Sequence, residues 1–143
     1  MSAFFKSFSY AFKGLVYSLK QRNMKVIFFC AVLTVTAAVS LKVNSTDWCI
    51  LLLCIGMVMA LEMVNTAIEG IVDMINPDHN EKAGRIKDLG AGAVLTASLV
   101  SLIISSRDDS LYLSQSDANE RLKIIVSCIT MLVIIIKSFF DVI

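Results

Sequence analysis

The stretch EMVNTAIEGIVD, residues 62–73, places Glu62, Asn65, Glu69 and Asp73 in an otherwise apolar run, at steps of three, four and four. On an α-helix these steps stack side chains along one face. Three carboxylates and an amide so arranged can meet a metal-bound ligand through oxygen, or carry a cation or proton along the helix. They can also be polar glue between packed helices, the default reading for Asn65 alone. Repeated charge is a costly glue. An ion path would continue as polar residues toward the other end of the helix, and residues 48–60 (WCILLLCIGMVMA) offer none.

Other chemistry is sparse. His79 has no ligand-spaced partner, and Cys30, Cys49, Cys54 and Cys128 lie within or at the edges of apolar blocks without a CxxC. They read as small core residues rather than a metal cluster or disulfide framework. The chain has neither a GxxxxGK[ST] phosphate loop nor a GxGxxG, so any nucleotide must be held another way.

The elements that position the stripe follow from composition. The chain has 143 residues, enough for one domain over 1–143, with 57% hydrophobic and 17% charged residues. A soluble domain is nearer half apolar and about a quarter charged. The excess is concentrated in residues 26–41, 48–61, 89–106 and 124–136, none of which contains Asp, Glu, Lys or Arg. A span needs about 20 mostly apolar residues. With flanks, the blocks predict spans over 25–42, 47–75 and 84–106, and a further one over 122–141. Residues 1–22 predict an amphipathic helix lying in the membrane surface. Phe4, Phe5, Phe8, Phe12, Leu15, Val16 and Leu19 form its apolar stripe, and Lys6, Lys13 and Lys20 recur every seven residues opposite. A signal peptide would confine its charges to one end and be followed by a small-residue cleavage site. The expected fold is therefore an all-α membrane protein. The polar hairpin KVNSTD precedes Trp48, an interfacial anchor. NPDHN, with the only proline, ends the second span. In GRIKDLGAGAV, the small residues Gly84, Gly90, Ala91, Gly92 and Ala93 read as close helix packing.

Net charge is only +1, but its distribution is uneven. Residues 1–25 hold Lys6, Lys13, Lys20, Arg22 and Lys25 with no acidic residue, whereas residues 106–121 set Asp108, Asp109, Asp117 and Glu120 against Arg107 and Arg121. Basic excess marks cytoplasmic segments, so both termini and residues 76–88 are expected inside. Glu62 lies fourteen residues after Trp48, a rise of about 21 Å. Glu62 then sits in the cytoplasmic third of the bilayer and Glu69 at its edge, so one end of the stripe could meet a lipid headgroup and the other a soluble, metal-bound ligand.

The framework Glu62–x2–Asn65–x3–Glu69–x3–Asp73, together with SYAFKG upstream and GRIKDLGAGAV downstream, resembles the signature of the prokaryotic integral-membrane diacylglycerol/undecaprenol kinases over roughly residues 4–106. The resemblance implies a surface helix and three spans, and transfer of the ATP γ-phosphoryl group to the hydroxyl of a membrane lipid. It assigns Glu62 as the base, Asn65 as a shaper of the site, and Glu69 as a ligand of the Mg²⁺ that accompanies ATP. Lys87 and Asp88 match its KD pair, and Tyr10, Asp78, His79 and Asn80 fall where the family contacts nucleotide. The partners it implies are lipid, ATP and two further copies in a homotrimer, with no nucleic acid, in a bacterial inner or plasma membrane. In two places the chain departs from the pattern. Gln21, in QRNMK, stands where the family has a Glu that is a second metal ligand; an amide oxygen coordinates without bringing charge. The tail 107–143 adds the fourth span. A non-catalytic relative that binds lipid or a partner, disabled at Gln21, is the competing reading.

The charge asymmetry yields a test. With an impermeant thiol reagent on intact cells, in a cysteine-free background, the Ser110→Cys protein should be labelled and the Ser2→Cys protein spared. The reverse pattern would overturn the four-span arrangement.

Overall fold

The computed structural model describes residues 3–105 except 41 and 79. His79, the acidic segment 106–121 and the span expected over 122–141 lie outside the described residues. The described chain forms four helices, α1 (Ala3–Ser18), α2 (Arg22–Ser40), α3 (Ser45–Ile75) and α4 (Glu81–Ser105). Three of them, α2, α3 and α4, are long and apolar enough to cross a membrane. The observed spans begin two to three residues before the expected ones at 25, 47 and 84.

The surface helix ends at Ser18, short of the expected boundary at residue 22. The Ser18 hydroxyl donates back to the Leu15 carbonyl at 2.8 Å. Lys20 and Gln21 then donate to the carbonyls of Tyr17 and Ser18, three residues back, which tightens the chain into a corner. The Gln21 carbonyl accepts from Lys25 N–H at 3.1 Å, so Gln21 opens α2 rather than closing α1. Phe4, Phe5, Phe8 and Phe12 on α1 are exposed, leaving the apolar stripe uncovered by the described residues.

The α2–α3 corner is built by local chemistry. Val43 N–H bonds to the Ala38 carbonyl at 3.3 Å and Lys42 N–H to that of Val39 at 3.2 Å. This is a Schellman closure, which places residue 42 in the left-handed region usually given to glycine. Lys42 occupies it at φ 52°. The apolar contact that accompanies such closures joins Val43 to Ala38, and Leu51 completes the buried cluster, with Trp48 and Ile55 against it. Asn44 then caps α3, its Oδ1 accepting from Asp47 N–H at 2.9 Å.

The most extensive packing joins α3 to α4, and α2 lies against α3. Leu51, Glu62, Asn65 and Val72 are buried on α3, with Ile55, Val58 and Glu69 half-buried between them. Together they form a four-three seam, the spacing of two helices packed at a shallow angle. The facing stripe on α4 contains Ala83, Gly90, Val94, Ser98 and Ser101. The hydroxyls of Thr34, Ser98 and Ser101 each donate to the carbonyl four residues back, so these buried polar groups are satisfied within their own helices. Of the cysteines described, Cys30 is buried and Cys54 half-buried, but Cys49 is exposed on the protomer surface, contrary to its reading as core.

A left-handed lysine costs about 1–2 kcal/mol relative to a residue without Cβ strain. Lys42→Gly should therefore raise unfolding stability in detergent micelles, by up to ~1 kcal/mol once the greater freedom of unfolded glycine is counted. A loss of stability would refute the strain at this corner.

Candidate functional site at the α3–α4 hairpin

The seam sorts the acidic stripe into different surroundings. Glu62 is 0% exposed and Asn65 1%, Glu69 is half-buried, and Asp73 is exposed. The four lie within about 80° of one another round the helix, as expected of one face, with burial falling off toward Asp73. The seam continues through Val72, and Asp73, only about 40° round the helix from Glu69, faces α4 at the open end of the hairpin. There it pairs with Lys87 of α4 across the hairpin.

Asn65 and Glu69 are joined directly, the Asn65 Nδ2 donating to Glu69 Oε1 at 2.7 Å. That bond fixes the amide's orientation, since only its nitrogen can donate to a carboxylate. Asn65 Oδ1, on the other side, is buried and accepts no hydrogen bond from the described residues. It occupies the space that a Cβ on Gly90 would need. At Gly84 and Gly92 the same construction meets nothing within 4 Å. Close packing, expected of all the small residues here, is required by Gly90 and not by those two glycines.

Beyond Glu69 the hairpin opens into a cleft of about 630 Å³, lined by residues including Asp73, Asp78, Asn80, Arg85, Lys87 and Asp88. That volume lies within the usual ~300–1,000 Å³ of small-molecule sites. Asn80 also has a structural task. Its Oδ1 accepts from Lys82 N–H at 2.9 Å and its carbonyl from Gly84 N–H, so it caps α4. Arg85, which the motif reading passed over, is held by Glu81 at 2.6 Å one turn earlier. Its signal was the opposite charge four residues back.

Tyr10 and Gln21 are not among the residues lining the cleft. Tyr10 is 67% exposed in the middle of α1, with Lys13 Nζ 5.7 Å from its ring. Gln21, half-buried, sits at the α1–α2 corner. Because α2 runs away from that corner and α3 returns, the corner and the α3–α4 turn lie at the same end of the bundle. No group of three or more His, Cys, Asp or Glu side chains is placed to hold a metal among the described residues.

The model of the family "Prokaryotic diacylglycerol kinase" matches residues 9–106, which include this stripe and the cleft beyond it. The chain belongs to the prokaryotic diacylglycerol kinase family. It is 38% identical to a diacylglycerol kinase of Synechocystis over 100 residues, 68% of this chain and 57% of that protein. It is also 38% identical to an undecaprenol kinase of Bacillus subtilis over 107 residues, 73% of this chain and 85% of the relative. Identity to the diacylglycerol kinase of Escherichia coli K12 is 34%, over 68% and 81% of the two chains. The family is one of membrane lipid kinases, which bears out the lipid-kinase reading; nothing favours the non-catalytic one. In this kinase the matched region ends at residue 106, so the tail stands outside it. Its three described spans bear out the all-α membrane fold.

Proposed function

We propose that the chain transfers the γ-phosphoryl group of ATP to the hydroxyl of a membrane lipid, diacylglycerol or undecaprenol, at a bacterial inner or plasma membrane with its N-terminus in the cytoplasm. The observation that carries this is the order of burial along α3, from fully buried Glu62 through Asn65 and half-buried Glu69 to Val72 and Asp73 in the lining of the open cleft. A lipid hydroxyl arriving from the bilayer meets a carboxylate at one end, and a water-soluble nucleotide enters at the other.

In this reading Glu62 takes the proton of the lipid hydroxyl as the oxygen attacks phosphorus. Asn65 holds the Glu69 carboxylate in place. Lys87 leaves Asp73 to neutralise phosphate charge, while Tyr10, Asp78, His79, Asn80 and Asp88 are the candidates for the rest of the nucleotide. The cleft lining carries Asp73, Asp78, Glu81 and Asp88 against Arg85 and Lys87, four negative charges to two positive. A polyphosphate enters such surroundings with a divalent counter-ion. The donors fit Mg²⁺, which takes one or two carboxylates, substrate phosphates and water. Glu69 would hold it, with Gln21 as the neutral second ligand from the corner at the same end of the bundle. When bound, the ion supplies neutralisation of charge on the phosphate oxygens. A homotrimer with sites shared between copies accords with the large apolar side chains left exposed on all three spans, among them Phe29, Leu53 and Ile103.

The purified protein in mixed micelles should transfer labelled phosphate from ATP to one or both lipids, and separate diacylglycerol and undecaprenol arms identify the acceptor. Glu62→Gln should lower turnover by ~10² or more with nucleotide binding retained. Wild-type turnover in that variant would remove Glu62 from the mechanism.

Gln21→Glu should lower the free Mg²⁺ needed for half-maximal rate, with little change at saturating metal, because a second carboxylate adds charge where the amide adds only a dipole. An unchanged Mg²⁺ curve would take residue 21 out of the ligand set.

A further inference from the structure

The six glycines of the chain are not equivalent. At Gly14, Gly56, Gly70, Gly84 and Gly92 a Cβ would find nothing within 4 Å among the described residues, but at Gly90 it would overlap Asn65 Oδ1. The same Cβ would stand 3.8 Å from Asn65 Cα, an ordinary contact. The two backbones therefore leave room for an alanine, and what fills that room is the end of one side chain. The occupant is the amide whose nitrogen donates to Glu69 Oε1.

We infer that Gly90 is a positioning residue for the reaction: its bare Cα on α4 lets the Asn65 carboxamide lie across the seam and hold Glu69. The inference rests on the reading of Glu69 as the carboxylate that holds the cation. The physical chain is short. The amide is one rigid plane, so Oδ1 cannot leave the Gly90 site without turning Nδ2 as well. Turning Nδ2 breaks its 2.7 Å bond and frees the Glu69 side chain to other rotamers. The cheapest response to a Cβ is this side-chain rotation, not separation of α3 from α4, so the helices stay packed while the carboxylate loses its hold. Oδ1 lies against a Cα–H of Gly90, a weak contact that also favours the observed orientation.

The test is retention of Mn²⁺, followed by electron paramagnetic resonance on the full chain in micelles with a non-hydrolysable ATP analogue, so that no turnover is involved. Gly90→Ala should weaken Mn²⁺ retention by ~10–100-fold, the usual effect of removing a residue that orients a metal ligand. Gly92→Ala, the same change two residues along in open space, should leave it unchanged. In an Asn65→Ala background no amide remains to be displaced, so adding Gly90→Ala should weaken retention no further. If Gly90→Ala fails to fold, Asn65→Ala/Gly90→Ala should still fold, because its new methyl enters vacated space. The inference is overturned if Gly90→Ala binds Mn²⁺ as the wild type does, if Gly92→Ala weakens retention equally, if the effects of residues 65 and 90 multiply, or if the double variant also fails to fold. Glu69→Gln separates the two levels. Normal retention there removes the cation-holding role and this inference with it, whereas weakened retention beside a normal Gly90→Ala removes this inference alone.

Discussion

A polar side chain in the seam between two apolar helices must find its partners within the protein, because neither lipid nor water supplies them there. The bond from Asn65 to Glu69 meets that demand for the amide nitrogen and one carboxylate oxygen, and the packing around it follows. It needs a helical step of four, which the motif provides, and a neighbouring helix close enough to confine the amide, which Gly90 allows. The same constraint is met differently elsewhere. Thr34, Ser98 and Ser101 bond to their own helices and so remain indifferent to what packs beside them. Asn65 instead spends its amide nitrogen on another side chain.

The length of α3 lets one element serve two media. Its 31 residues rise about 46 Å, against a hydrocarbon core of about 30 Å. One end can be anchored at Trp48 while the other carries Asp73 into water. Along this axis exposure grows in the order Glu62, Asn65, Glu69, Asp73. The fully buried Glu62 and the half-buried Glu69 are thus separated by two helical turns. The Lys87–Asp73 pair and the Asn80 cap hold the hairpin at its wet end. Asp73, Asn80 and Lys87 also line the cleft, so the closure of the turn and the cleft share side chains.

Much of this was legible beforehand because helices in lipid announce themselves by runs without charge and by turn residues between them. The four described helices, the hairpins at KVNSTD and NPDHN, and the common face of Glu62, Asn65 and Glu69 follow from local pattern alone. The end of α1 was not legible, because Ser18 and the tight turn after it decide the boundary through hydrogen bonds that carry no hydrophobic period. The cap at Asn80 has a local signal, an Asn followed by the acidic Glu81 at the start of α4.

The sequence by itself determined which residues share a face of their own helix, since a 3.6-residue period is intrinsic to the backbone. It could not determine where the neighbouring helix lies around that circumference. That is why the pairing of Asp73 with Lys87 across the hairpin could not be read from the stripe. It is also why Gly90, one small residue among five in GRIKDLGAGAV, could not be told from the rest. A glycine is marked by what approaches it, and only the packing of α3 on α4 decides that the approaching group is the amide of Asn65.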